Sequence, residues 1–178
     1  MAQPASPALK ILNPGPDGLR MNSPTPLEVH MIAAVRFAAA YAALTASHEV
    51  ADRWVQRDAD ALAKGEPGWE GRSACLRHVG SYVATQGLAL WAADRYLGLG
   101  LDPRRAAAAL AVSAVTHYYA DRSGGHWQDP EPAGLVAVAH RLGKQGWLKH
   151  DPRAGFELDQ AWHLGWIGIA AAVAAGQG

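Results

Sequence analysis

Three one-turn pairs of histidine and aspartate are the residues of this chain best suited to chemistry: His48 with Asp52, His117 with Asp121, and Asp159 with His163. Each is spaced i, i+4, which on a helix puts both side chains on one face about a turn apart. Gln56 continues the first stripe by another turn, and His78 stands alone between the first two pairs. Imidazole and carboxylate together suit a divalent ion such as zinc, manganese or iron. Facing helices can project such ligands onto one metal or a metal pair, which could activate water and neutralise an oxyanion or phosphate. Without a metal, a His–Asp pair serves as an oriented general base. A single pair is more often a structural tie on a solvated helix face than a ligand. Repetition on three segments is what favours the metal. The expected ligands are His48, Asp52, His117, Asp121 and His163, with Asp159 or His78 as ligand or base and Gln56 orienting water.

The elements that must position these residues read as helices. The pattern turns helical at 27 and continues to about 63, breaking at Gly65-Glu66-Pro67-Gly68. A second helix is expected over about 72–97, closed by Gly98-Leu99-Gly100. Asp102-Pro103 then gives an N-cap followed by proline at the first helical position, opening a helix over about 103–122. A long excursion, 125–155, could hold a short helix at 133–142 before a last helix over about 156–175. No alternation of strand type and no repeat is visible. The expected fold is therefore all-α, an up-down-up-down four-helix bundle. In that topology His48 and Asp52, His78, His117 and Asp121, and Asp159 and His163 all fall at one end. The long connections 64–71 and 123–155 cap the same end.

Six prolines within residues 1–26 read as an extended arm, leaving 27–178 as the bundle domain. Acidic and basic side chains balance at 16 each, so no field of one sign is available to hold nucleic acid. One cysteine, Cys75, excludes a disulfide framework, and a buried inert thiol is its expected state. No basic segment followed by an apolar one marks a secretory signal, which fits the cytoplasm, with the inner membrane as the alternative. The alanine-rich apolar runs 31–47, 83–93, 106–116 and 164–175 each fall short of the roughly 20 residues a spanning helix needs. Arg53, Arg57, Lys64, Arg77 and Arg122 flank the expected site and could hold a small anionic substrate. Six of the seven tryptophans lie toward the same end. His30, His126, His140 and His150 lack the spacing and read as surface or loop residues.

The ordered segments HEVADRWVQ, the lone His78, THYYADR and DQAWH resemble a bacterial family with a domain of unknown function, made of small multi-helix proteins usually predicted to lie in the inner membrane. The resemblance covers about 41–173 and falls on His48, Asp52, Gln56, His78, His117, Asp121, Asp159 and His163. A looser similarity is to membrane-bound metal-dependent hydrolases that carry H-x3-D steps on apolar helices. Three functions compete: a metal-dependent hydrolase acting on a phosphoester or similar polar bond, a non-catalytic metal- or small-ligand-binding bundle, and a structural, membrane-associated helical protein.

Overall fold

The computed structural model describes residues 25–176; the proline-rich arm lies outside them except for Thr25 and Pro26. Pro26 is already helical. Helix α1 (Pro26–Val50) starts there because Thr25 and Glu28 form a capping box, and proline at the first position forgoes an N–H the helix cannot use.

The expected unbroken helix over 27–63 is instead three pieces. After Val50 the chain makes a five-residue π-helical turn, Ala51–Val55. It extends through Gln56 and Arg57 and resumes as α2 (Asp58–Ala63). A π turn adds a residue to the turn and re-aims what it carries, which here is Asp52. Helix α3 (Gly68–Leu97) starts a turn earlier than expected, behind Pro67, and ends at Gly98 in the left-handed region. Helix α4 (Pro103–Asp121) is capped as expected, with the Asp102 carboxylate accepting from the Arg104 and Arg105 amides. The excursion holds α5 (Gly134–Arg141) and an unexpected α6 (Gln145–His150), and α7 (Ala154–Ala175) closes the fold.

The described residues are thus all-α, with seven helices and no strand. Of the four long helices, α1 packs on α3 and α7, and α4 packs on the same two. Their shared core is built from Ala40, Leu44, Leu90, Ala109, Ile167 and Ala170. Alanine at the contacts lets the axes approach closely. Along every long helix the apolar level gives way to a polar one: Leu44 to His48, Leu90 to Tyr82 and His78, Ala109 to His117, and Ile167 to His163.

A second expectation, that every apolar run falls short of a span, fails for the first of them. Helix α1 with its π-helical continuation, Pro26–Val55, is long and apolar enough to cross a membrane, and 11% of its most apolar stretch is buried. Arg36 interrupts the apolar run in the sequence, yet its Nε donates to the Leu99 carbonyl at 2.6 Å, so the helix runs straight through it.

Candidate metal centre

His48, His78, His117, Asp121 and His163 are buried, and Asp52 and Asp159 border them on the solvent side, with 15% and 22% of their side chains exposed. All seven residues of the His–Asp pairs and the lone histidine therefore meet. At the centre, His78 Nε2 and His117 Nε2 are 2.9 Å apart. Asp121 Oδ2 is 3.3 Å from each, and Asp52 Oδ1 is 3.4 Å from His78 and 3.5 Å from His117. Donors bound to one zinc at about 2.0–2.1 Å in a tetrahedral arrangement stand about 3.3–3.4 Å apart, so the carboxylate–imidazole separations are close to those of a coordination shell, while the two imidazoles stand closer, at hydrogen-bond distance.

The hydrogen bond between His78 Nε2 and His117 Nε2 leaves much of the cluster unpaired. Asp52 Oδ1, Asp121 Oδ2, His48 Nδ1 and His163 Nε2 are buried and accept or donate no hydrogen bond. Buried carboxylate oxygens facing imidazoles without a donor are costly, and a cation held beside each would offset that cost. Three sets of donors lie close enough to hold a metal: His48, Asp52 and His117; His78, His117 and Asp121; and Asp121, Asp159 and His163.

The electrostatics agree with ligation. Burial pushes His48 and His117 below the ordinary imidazole range, which keeps them neutral and able to donate a lone pair. Burial also opposes ionisation of Asp121, but contact with His117 and the charges of Lys64 and His78 prevail and hold its carboxyl far below the usual range. Asp52 is likewise lowered against burial, by His78, His117 and His48. His163 goes the other way: burial disfavours its charge, and Asp159 more than offsets that.

A second layer fixes the donors. His48 Nε2 donates to Gln160 Oε1 at 3.3 Å, which turns Nδ1 toward Asp52 at 3.6 Å. Tyr82 stacks on His117 with centroids 3.8 Å apart. Beneath it Tyr82, Gln86 and Ser113 close a hydrogen-bonded ring: Gln86 Nε2 donates to Tyr82 Oη at 2.9 Å, and Ser113 Oγ donates to Gln86 Oε1 at 2.7 Å. Lys64 Nζ donates to Asp121 Oδ1 at 2.8 Å. With its amide turned so that oxygen faces Lys64, Gln56 accepts from that lysine at 3.1 Å and donates to the Asp52 carbonyl at 3.3 Å, which ties the π turn to it.

Lys64 is placed by the loop it sits in. Arg122 donates to the Lys64 and Glu66 carbonyls, and His126 Nε2 donates to the Gly65 carbonyl at 3.0 Å. Gly65 lies so close to the Gly124 carbonyl that a Cβ has no room. His126, expected as an ordinary loop residue, is the latch: with Asp129 on Nδ1 at 2.7 Å both ring nitrogens donate, and the Gly65 carbonyl and Asp129 raise its pKa.

The basic residues around the site are mostly committed within the chain. Arg53 pairs with Glu49 and Arg77 with Asp60, in addition to the Lys64 and Arg122 contacts. The tryptophans do not line the centre as a group. Trp54 and Trp69 face solvent, while Trp162 donates to the Thr116 carbonyl and packs on Trp166. Cys75 is buried, and its thiol is pushed up to about 12, chiefly by burial. Compared with known proteins, the chain matches no family model, no curated protein and no solved structure.

Proposed function

We propose that this protein is a metal-dependent hydrolase whose divalent cation, zinc, manganese or iron, is held among His48, Asp52, His78, His117, Asp121 and His163. The observation that carries the reading is that imidazoles and carboxylates converge in the interior, with Asp52 Oδ1 and Asp121 Oδ2 buried and accepting no hydrogen bond. Structural zinc sites close with four protein ligands, whereas hydrolytic sites use three and leave a position for water. A cation held by three of these residues would leave such a position and would supply there a water acidic enough to give hydroxide near neutral pH. Asp159, at the solvent margin, serves as ligand or as the base that accepts the proton. A phosphoester is the substrate class that best matches an open cationic centre, with Arg57, on the connection between the π turn and α2, the flanking basic residue to hold it. The up-down-up-down order of α1, α3, α4 and α7 belongs to the same reading, because it brings one end of each long helix to the cation.

The test is hydrolysis of p-nitrophenyl phosphate and its diester by protein loaded with zinc or manganese, beside chelator-treated protein and His78→Ala. Turnover that needs both the metal and His78 supports the hydrolase. Metal binding without turnover of either compound supports the second reading, a non-catalytic metal-binding bundle, which the depth of His78, His117 and Asp121 also favours.

A further inference from the structure

The three donor sets cannot all be filled together. His48, Asp52 and His117 form one, and His78, His117 and Asp121 another, so both call on the imidazole of His117. Its Nε2 faces Asp52 at 3.5 Å and Asp121 at 3.3 Å, and one lone pair binds one cation. The third set, Asp121, Asp159 and His163, makes no demand on His117. It shares only Asp121, and a carboxylate can bridge two cations.

We infer that the centre is dinuclear, with one divalent cation held by His78, His117 and Asp121 and a second by Asp121, Asp159 and His163. The inference rests on the reading of the cluster as a metal centre. His163 supports it independently. Its Nε2 is buried without a hydrogen bond of regular geometry and stands 3.3 Å from Asp159 Oδ2, an ion-pair contact whose spacing two ligands of one ion also have. The rings of His117 and His163 have centroids 4.2 Å apart, so the two sets are immediate neighbours. That is compatible with the separation of about 3.5–4 Å typical of two-metal hydrolytic sites. Lys64 occupies Asp121 Oδ1, which leaves Oδ2 for the bridge. Gln160, beside Asp159 in sequence, holds His48 and so keeps the α1 and α7 sides of the second position in register.

Charge gives the pair its ligand class. Three carboxylates, Asp52, Asp121 and Asp159, stand against the ammonium of Lys64, and one divalent cation neutralises the remainder. A second leaves the centre positive, open on the Asp52 and Asp159 side to an oxyanion such as phosphate, which would span both ions.

The experiment is manganese loading of chelator-stripped protein, with metal per chain measured after dialysis and the electron paramagnetic resonance spectrum recorded. The wild-type protein should hold two ions and give an exchange-coupled spectrum. Asp159→Asn and His163→Ala should each hold one ion and lose the coupling, and His78→Ala should lose the other ion. Asp159→Asn is isosteric and at the solvent margin, so it decides the matter should His163→Ala fail to fold by circular dichroism. One ion in the wild type, retained in both α7 variants, overturns the dinuclear inference and leaves a mononuclear hydrolase standing. No manganese in the wild type overturns both.

Discussion

His78 on α3 and His117 on α4, 39 residues apart, bring their Nε2 atoms to 2.9 Å, with a carboxylate oxygen of Asp121 3.3 Å from each. Their contacts leave His78 Nδ1, His117 Nδ1 and Asp121 Oδ2 buried without a hydrogen bond. The triangle has the size of a metal's ligand shell, and removing one corner should separate binding from folding. His117→Ala is expected to lower metal content at least tenfold while the helical circular dichroism persists, because the Ala40, Leu44 and Ile167 level of the core is untouched. Thermal stability of the metal-free protein should fall by about 2–5 kcal/mol, the usual cost of truncating a large buried side chain. Unchanged metal content would remove His117 from the ligand set.

Metal affinity should depend on pH. Imidazole ligates only when deprotonated, so protons compete as pH falls. Burial lowers His48 and His117, which resist that competition, whereas Asp159 raises His163, which holds its proton to higher pH. Affinity should therefore begin to fall above about 6.5, the ordinary imidazole value, and keep falling through mildly acid solution. Calorimetric titrations with zinc at several pH values measure this, and a flat profile would exclude imidazole ligands.

Lys64 is the one ammonium hydrogen-bonded to Asp121. Replacing it as Lys64→Met should raise the Asp121 pKa and destabilise the metal-free protein at neutral pH by about 1–3 kcal/mol, for a buried carboxylate left short of a partner. The sign follows from linkage: Asp121 is depressed in the fold, so its contribution is present above the unfolded value of about 3.9 and is lost as pH falls toward the folded one. The variant should accordingly lose less stability than the wild type on acidification, as urea unfolding at neutral and acid pH would measure.

The loop that delivers Lys64 is held by close backbone approach and by a charged latch. Gly65→Ala forces a methyl against the Gly124 carbonyl and should cost about 1–3 kcal/mol, the range for overpacking, together with weaker metal binding. His126 acts in the opposite pH sense from Asp121. Its pKa is raised in the fold, so the stabilisation it gives is present below about 6.5 and disappears as pH rises through the folded value. Its imidazole resonances, followed by NMR, should titrate above that value, and hydrogen exchange of the 64–67 loop should quicken over the same interval. A ring that titrates normally would dismiss the latch.

Much of the site was legible because i, i+4 spacing on a helix needs no tertiary knowledge: His117 with Asp121 and Asp159 with His163 follow from it directly. Helix caps at Asp102 and Gly98 were equally local. What the spacing missed came from contacts between elements. Lys64 lies in a loop placed by Arg122 and His126 from 58 or more residues away. Tyr82, Gln86 and Ser113 read as ordinary helical residues until α3 and α4 pack. The π turn at Ala51–Val55 has no marker in an unbroken helix-forming run, and without it the chain reads as one helix to residue 63. Arg77 looked free for a substrate because its partner, Asp60, lies 17 residues away on another helix, whereas the pairing of Arg53 with Glu49 was legible from its i, i+4 spacing.

The most direct measurement of the central claim is an anomalous difference map from crystals of the zinc-loaded protein, recorded at the zinc edge. The account predicts a peak about 2.0–2.1 Å from His78 Nε2 and His117 Nε2, with Asp121 completing three protein ligands. A map with no peak among these residues, or with His78 and His117 hydrogen-bonded to each other around an empty centre, would contradict it.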